Sequence, residues 1–163
     1  MTGKQLQQLA KPFPQSLIER APGGFGDYVK WSVKVEKLLA TVGAFDWEIV
    51  REITDPDGTI TGCVGRLTVE VDGRTVSVEG AGDVERPDIL ANNGTRLKHA
   101  ESDALSRAAS KVSCGLSLWS QDKYRLDRAL ERNEEIEREV ARAARADEQK
   151  AREERLGIKE AEA

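Results

Sequence analysis

Asp72-Gly73 stands between two runs that alternate apolar and polar side chains, and no other feature of the chain restricts its fold so sharply. A two-residue Asp-Gly step closes a tight antiparallel hairpin, because both positions tolerate positive φ and match the twist of the flanking strands. Upstream, Ile60–Val71 alternates best at its end and places Leu67, Val69 and Val71 on one face. Downstream, residues 74–79 return as a strand with Val76 and Val78 inward. Asp55-Pro56-Asp57-Gly58 is a second turn signal. Before it, residues 45–53 read as a strand with Phe45, Trp47, Ile49 and Ile53 on one face. A three-stranded antiparallel meander is expected.

Helical periodicity brackets that meander. In residues 28–42, Tyr28, Val29, Trp31, Val35, Leu38, Leu39 and Val42 recur near helical spacing, and Gly43 is a natural stop. Residues 87–93 read as a loop. Asn93-Gly94-Thr95 then opens a second long helix with Thr95 as its N-cap, running to about Ser113. Leu97, Ala104, Ala108 and Val112 form its expected buried stripe, while Arg96, Asp103, Arg107 and Ser110 share another side with Ser106 beside them. Gly115 breaks the helix, and Leu116-Ser117-Leu118-Trp119 packs back. From Gln121 the composition shifts to Glu, Arg, Ala and Lys, with pairs such as Glu134/Arg138 and Glu148/Arg152 at i,i+4. Leu126, Leu130, Ile136 and Val140 are too sparse there for a sustained heptad seam. The expectation is an α+β fold: an N-terminal segment (1–24), an α-β-β-β-α core (25–120) and a charged, partly disordered helical tail (121–163).

Size and composition bound what such a fold can do. At 163 residues the chain buries one core of ordinary size, and with a third of its residues charged, part of it is expected to lie outside that core. Cys63 and Cys114 are too few and too far apart for a disulfide framework or a CxxC metal site, and read as reduced thiols. The start lacks a signal peptide's apolar run, and nowhere do ~18 apolar residues run together, so a soluble cytoplasmic protein is expected. There is no GxxxxGKS/T phosphate loop, and Gly23-Gly24-Phe25-Gly26 precedes no strand–helix phosphate motif. His99 is the only histidine, which leaves little room for a histidine-centred triad. Glu79, Asp83, Glu85 and Asp88 cluster where a two-metal nuclease would place ligands, but no lysine follows at a short strand-like spacing. No cofactor is implied, and the chain does not read as an enzyme.

Two segments resemble the Rad-fifty-two family of single-strand annealing proteins, including its phage and bacterial relatives. Lys98-His99-Ala100-Glu101-Ser102-Asp103-Ala104-Leu105-Ser106-Arg107-Ala108-Ala109, followed by Val112, Gly115, Leu116 and Trp119, resembles the family helix K-x-A-x-T/S-D-A/G-L-K-R-A and its closing segment. Glu19-Arg20-Ala21-Pro22-Gly23-Gly24, then Tyr28, Gly43 and Trp47, resembles the family's Arg before a glycine-rich turn, an aromatic opening the first helix, and Gly and Trp before the first strand. Gly80-Ala81-Gly82 resembles its G-x-G. The resemblance spans roughly residues 12–125 in the right order.

It implies an oligomeric ring whose positively charged groove holds a DNA strand by its backbone, bases exposed for pairing. The implied activity is ATP-independent annealing in homologous recombination and repair, in a bacterial cell or a phage-infected host. By position, Arg20, Lys98 and Arg107 match family positions used for DNA contact, and Tyr28 matches an aromatic near the groove. Arg96, Arg66 and Arg74 are further candidates from the helix and the hairpin. The family's Lys-Arg pair is Ser106-Arg107 here, and Lys111, one turn past Arg107, is the residue placed to replace part of the missing charge. A formal charge of −4 counts against nucleic-acid binding in general, but a repeated ring can line one groove with a few cations per subunit. The tail is a candidate arm for a single-strand-binding protein or recombinase. Two other readings stand beside this one: a double-stranded-RNA-binding module, which also runs α-β-β-β-α, and a protein-interaction scaffold built on the tail.

Overall fold

At the Asp72-Gly73 turn φ is 50° and 75°, the positive pair that a type I′ hairpin requires. The structure, a computed structural model, describes residues 3–20, 26–84, 88–120 and 123–156. Its elements are helix α1 (Lys4–Ala10), a 3-10 turn (Gln15–Leu17), short strands β1 (Glu19–Arg20) and β2 (Asp27–Tyr28), helix α2 (Trp31–Val42), strands β3 (Asp46–Thr54), β4 (Ile60–Val71) and β5 (Arg74–Asp83), and helices α3 (Asn93–Lys111), α4 (Leu116–Ser120) and α5 (Leu126–Leu156). The last three strands form an antiparallel sheet in the order β3-β4-β5, and β1 pairs with β2 apart from it. Helix α3 crosses β4 and β5, and α2 packs beside α3. The architecture is α+β. Within the described residues no helix is long and apolar enough to cross a membrane.

The core lies between sheet and helices. Leu67, Val69 and Val71 of β4 meet Leu38 of α2, Leu105, Ala108 and Ala109 of α3, and Val112 just past its end. Leu9 and Phe13, from the N-terminal segment, are buried in the same cluster. A smaller cluster of Cys63, Val84, Ala100 and Ala104 continues it along α3. Both cysteines are free and buried.

Gly80 and Gly82 set the distance between α3 and the sheet. A Cβ on Gly80 would press into the carbonyl oxygen of Ala104 and come within 2.7 Å of the Ala108 nitrogen. One on Gly82 would meet the Ala100 carbonyl and the Ala104 nitrogen. The glycines of the strand therefore face the alanines of the helix, backbone against backbone. The sequence places Gly80-Ala81-Gly82 after the third strand, yet they lie within it, because the two glycines, without side chains, let α3 cover the strand to its end.

Other expectations need correction. Helix α2 starts at Trp31, not Tyr28, since Tyr28 is held in β2 opposite Glu19. The N-cap of α3 is Asn92, whose side chain accepts from the Thr95 N–H at 2.9 Å, and the helix ends at Lys111 before Ser113 turns to φ 72°. A register shift between Ile49 and Arg51 reverses the alternation of β3, so Ile53 pairs with Gly62 on the open face while Trp47 stays opposite Leu67 on the core face. Leu97 is only half-buried, and Ser110, expected on the polar side, is buried.

Helix α1 and the first turns of α5 are tied to this body. Helix α1 has no side-chain cap of its own. Asp72 supplies one, its Oδ1 accepting from Gln5 N at 3.0 Å and its Oδ2 from Leu6 N at 3.1 Å. The Gln5 side chain returns the contact by accepting from Asp72 N at 2.6 Å. At the other end, Leu130 of α5 is buried, and Gln7 donates to Glu134 at 2.9 Å. Between Glu135 and Arg152 the side chains of α5 face solvent, with Glu134 and Arg138 paired at 2.5 Å and no ion pair between Glu148 and Arg152.

Candidate nucleic-acid interface

Strand β5, the last two turns of α3 and α4 border an open, shallow cavity of about 420 Å³ at the sheet edge. Gly80 and Ala81 line it from the strand, Arg107, Ser110 and Lys111 from α3, and Leu116 and Trp119 from α4. The chain reaches this geometry because α3 stops at Lys111 and Gly115, at φ 83°, reverses it into α4. The reversal swings the Trp119 indole back over the C-terminal half of α3.

Trp119 is 57% exposed, a large apolar group kept in water. Its ring is nevertheless fixed. The indole Nε1 donates to Ser110 Oγ at 3.1 Å, and Ser110 Oγ donates to the Ser106 carbonyl at 3.0 Å. The Arg107 guanidinium lies 5.4 Å from the ring centroid, a cation–π contact.

The two cations keep most of their bonding capacity. Arg107 donates Nε to Asp103 Oδ2 at 3.0 Å; within the described residues neither of its terminal amino groups is hydrogen-bonded. Lys111 donates to the backbone carbonyl of Glu79 at 2.6 Å, a neutral partner that leaves its charge uncancelled. Arg side chains with open amino groups suit phosphate oxygens, and such contacts are indifferent to base sequence.

The remaining sequence candidates lie elsewhere. Lys98 is exposed on α3, but nine residues from Arg107 place it about 180° around the helix axis. Arg96 lies on the same side of α3 as Arg107, three turns nearer the N-terminus, with Nη1 donating to Asn93 at 3.1 Å. Arg66 sits between Glu48 and Glu79, 2.8 Å from each, and the Glu79 hydrogen bond first among these contacts raises its pKa further. Arg74 is exposed beside the hairpin turn, about 20 Å along β5 from Gly80. Tyr28 donates to Glu19 at 2.7 Å, and Lys30 pairs with the same carboxylate at 3.3 Å. The Tyr28 bond holds the Glu19 carboxyl below its usual range and pushes the phenol up. Arg20 is exposed in β1. The adjoining Ala21-Pro22-Gly23-Gly24-Phe25 lies outside the described residues, as do Glu85, Pro87, Gln121 and residues 157–163.

The structure thus brings Arg107 and Lys111 together and adds Trp119, which the sequence suggested only as a closing core residue. Within the described residues, no three or more His, Cys, Asp or Glu side chains are grouped to hold a metal ion. Of the acids considered as metal ligands, Glu79 binds Arg66 and Asp83 offers its backbone N–H to Asp103 at 3.2 Å. No family model matches the chain, and no curated protein matches its sequence.

Proposed function

We propose that the chain binds single-stranded DNA at the corner formed by Arg107, Lys111 and Trp119, and anneals complementary strands without ATP as a homo-oligomeric ring in recombination and repair. The observation that carries this reading is the pairing of two under-committed cations with a fixed, solvent-facing indole beside one cavity. Single-strand binders without sequence preference combine those two ingredients, a basic track for the backbone and an aromatic face for the bases. The resemblance of the α3 segment to the annealing family supports the same reading independently of the cavity. Annealing needs no nucleotide hydrolysis, because duplex formation is itself downhill. A net charge of −4 is compatible with it, since a ring can line one groove with a few cations from each subunit.

The test is annealing of two complementary labelled oligonucleotides without ATP or metal, comparing wild type with Arg107→Ala. Wild type accelerates annealing, and the variant loses the acceleration while keeping the wild-type oligomer size. Absence of both acceleration and single-strand binding at low salt overturns the proposal.

A further inference from the structure

The indole of Trp119 is placed to do more than line a basic corner. From its geometry we infer that Trp119 stacks on the face of one nucleobase per subunit, so that the bound strand is held by a base contact as well as by its phosphates. This rests on the single-strand-binding reading above and assigns its aromatic component.

Several observations converge on it. An indole 57% exposed presents apolar area to water, which is unfavourable. A flexible surface tryptophan would reduce that cost by folding onto its neighbours. Trp119 is prevented from doing so by the Ser110 and Ser106 hydrogen-bond chain, which fixes the ring at its nitrogen edge. The ring is thereby preorganised, and a ligand that stacks on it bears little ordering cost.

The same hydrogen bond determines what kind of ligand fits. With Nε1 already donated to Ser110 and Arg107 over one face, the indole offers a base its other π-face and no polar group. Recognition through it is therefore planar and indifferent to base identity, since every base has a π-face. The cavity of about 420 Å³ lies within the size range of small-molecule sites, with Ala81 and Gly80 contributing no bulk to its floor. Arg107 and Lys111, one helical turn apart at its rim, supply the charge that an attached phosphodiester chain requires.

Stacking of this kind is also compatible with annealing. It occupies a face of the base and leaves the hydrogen-bonding edge free for a complementary strand. One platform per subunit engages one base in several, so most of the strand stays available for pairing.

The experiment measures binding of a thymidine oligonucleotide and of an abasic deoxyribose-phosphate oligomer of equal length, by fluorescence anisotropy at low salt. Full-length wild type, Trp119→Phe and Trp119→Ala are compared. Wild type is expected to bind the base-bearing strand about tenfold more tightly than the abasic one. Trp119→Ala lowers affinity for the thymidine strand toward the abasic level and leaves abasic binding unchanged, while Trp119→Phe keeps most of the preference. Equal wild-type affinity for both polymers overturns the inference and leaves single-strand binding intact. Trp119→Ala weakening both polymers alike overturns it too, by making the indole structural. If wild type binds neither polymer, the underlying reading fails with it.

Discussion

Arg107 Nε and the backbone N–H of Asp83 share one oxygen, Oδ2 of Asp103, at 3.0 and 3.2 Å. A single carboxylate thus ties the C-terminal half of α3 to the end of β5 and sets the height of Arg107 above the cavity. The carboxylate also opposes any phosphate that Arg107 binds. Asp103→Asn keeps an acceptor for Asp83 and removes the charge. An exposed ion pair of this type contributes about 0.5 kcal/mol, so single-strand affinity should rise roughly twofold with little change in unfolding midpoint. Anisotropy titration and urea unfolding of the same preparation measure both; weaker binding by Asp103→Asn would contradict the phosphate role of Arg107.

The salt dependence of binding should count the cations of the corner. Each phosphate contact on a single strand contributes about −0.7 to the slope of log affinity against log salt. Lys111→Gln removes one such contact per subunit while its amide can still donate to the Glu79 carbonyl. Its slope should be shallower by about that amount for each subunit engaged. Titrations across a salt series give the slope directly; parallel lines for wild type and variant would remove Lys111 from the interface.

Close packing at the strand end is sensitive to a single methyl group. Gly82→Ala drives a Cβ into the backbone of Ala100 and Ala104, where no flexible side chain can give way. Overpacking of this kind costs about 1–3 kcal/mol. Because α3 must lift away from β5, the cavity beside Gly80 should widen and single-strand affinity should fall with stability. Ala81→Ser, one position away with its side chain on the opposite face, should leave stability within about 0.5 kcal/mol. Chemical unfolding of the two variants separates them.

Tyr124 gives the fold an alkaline limit. Its hydroxyl donates to the Ala10 carbonyl, and burial, with a smaller contribution from Asp127, pushes the phenol up to about 12. The unfolded phenol titrates near 10. Between about pH 10 and 12 the unfolded chain therefore gives up a proton that the folded chain retains, and stability falls as pH rises through that window. Tyr124→Phe should lower stability at neutral pH through the lost hydrogen bond and flatten that alkaline fall. The difference between the two pH profiles of urea unfolding isolates the group; identical slopes would place Tyr124 in solvent.

How far the sequence reveals this molecule depends on how local each signal is. The hairpin is legible because a two-residue turn fixes its own register, placing Val71 opposite Arg74. The reversal at Val50 is not, since Ile49-Val50-Arg51 contains no Gly or Pro to mark a bulge. Asn92 and Thr95 are both capping residue types three apart, and only the geometry shows which accepts from which. Arg66 reads as a free surface cation until register sets it opposite Glu48 on one side and Glu79 on the other. Arg107 and Lys111 are legible from their shared helical side. Trp119 is not, because hydrophobicity alone does not distinguish a tryptophan that closes a core from one held open by a serine at its nitrogen edge.

The cap that Asp72 provides for α1 joins residues 67 and 66 positions apart. A seven-residue helix is too short to persist in water by itself. Its hydrogen-bonded start depends on the carboxylate that the β4–β5 hairpin presents. The N-terminal segment is thus a latch whose catch lies on the hairpin, and Leu9 and Phe13 sit in the core beneath it. A chain translated only as far as Glu70 would carry the latch with nothing to receive it.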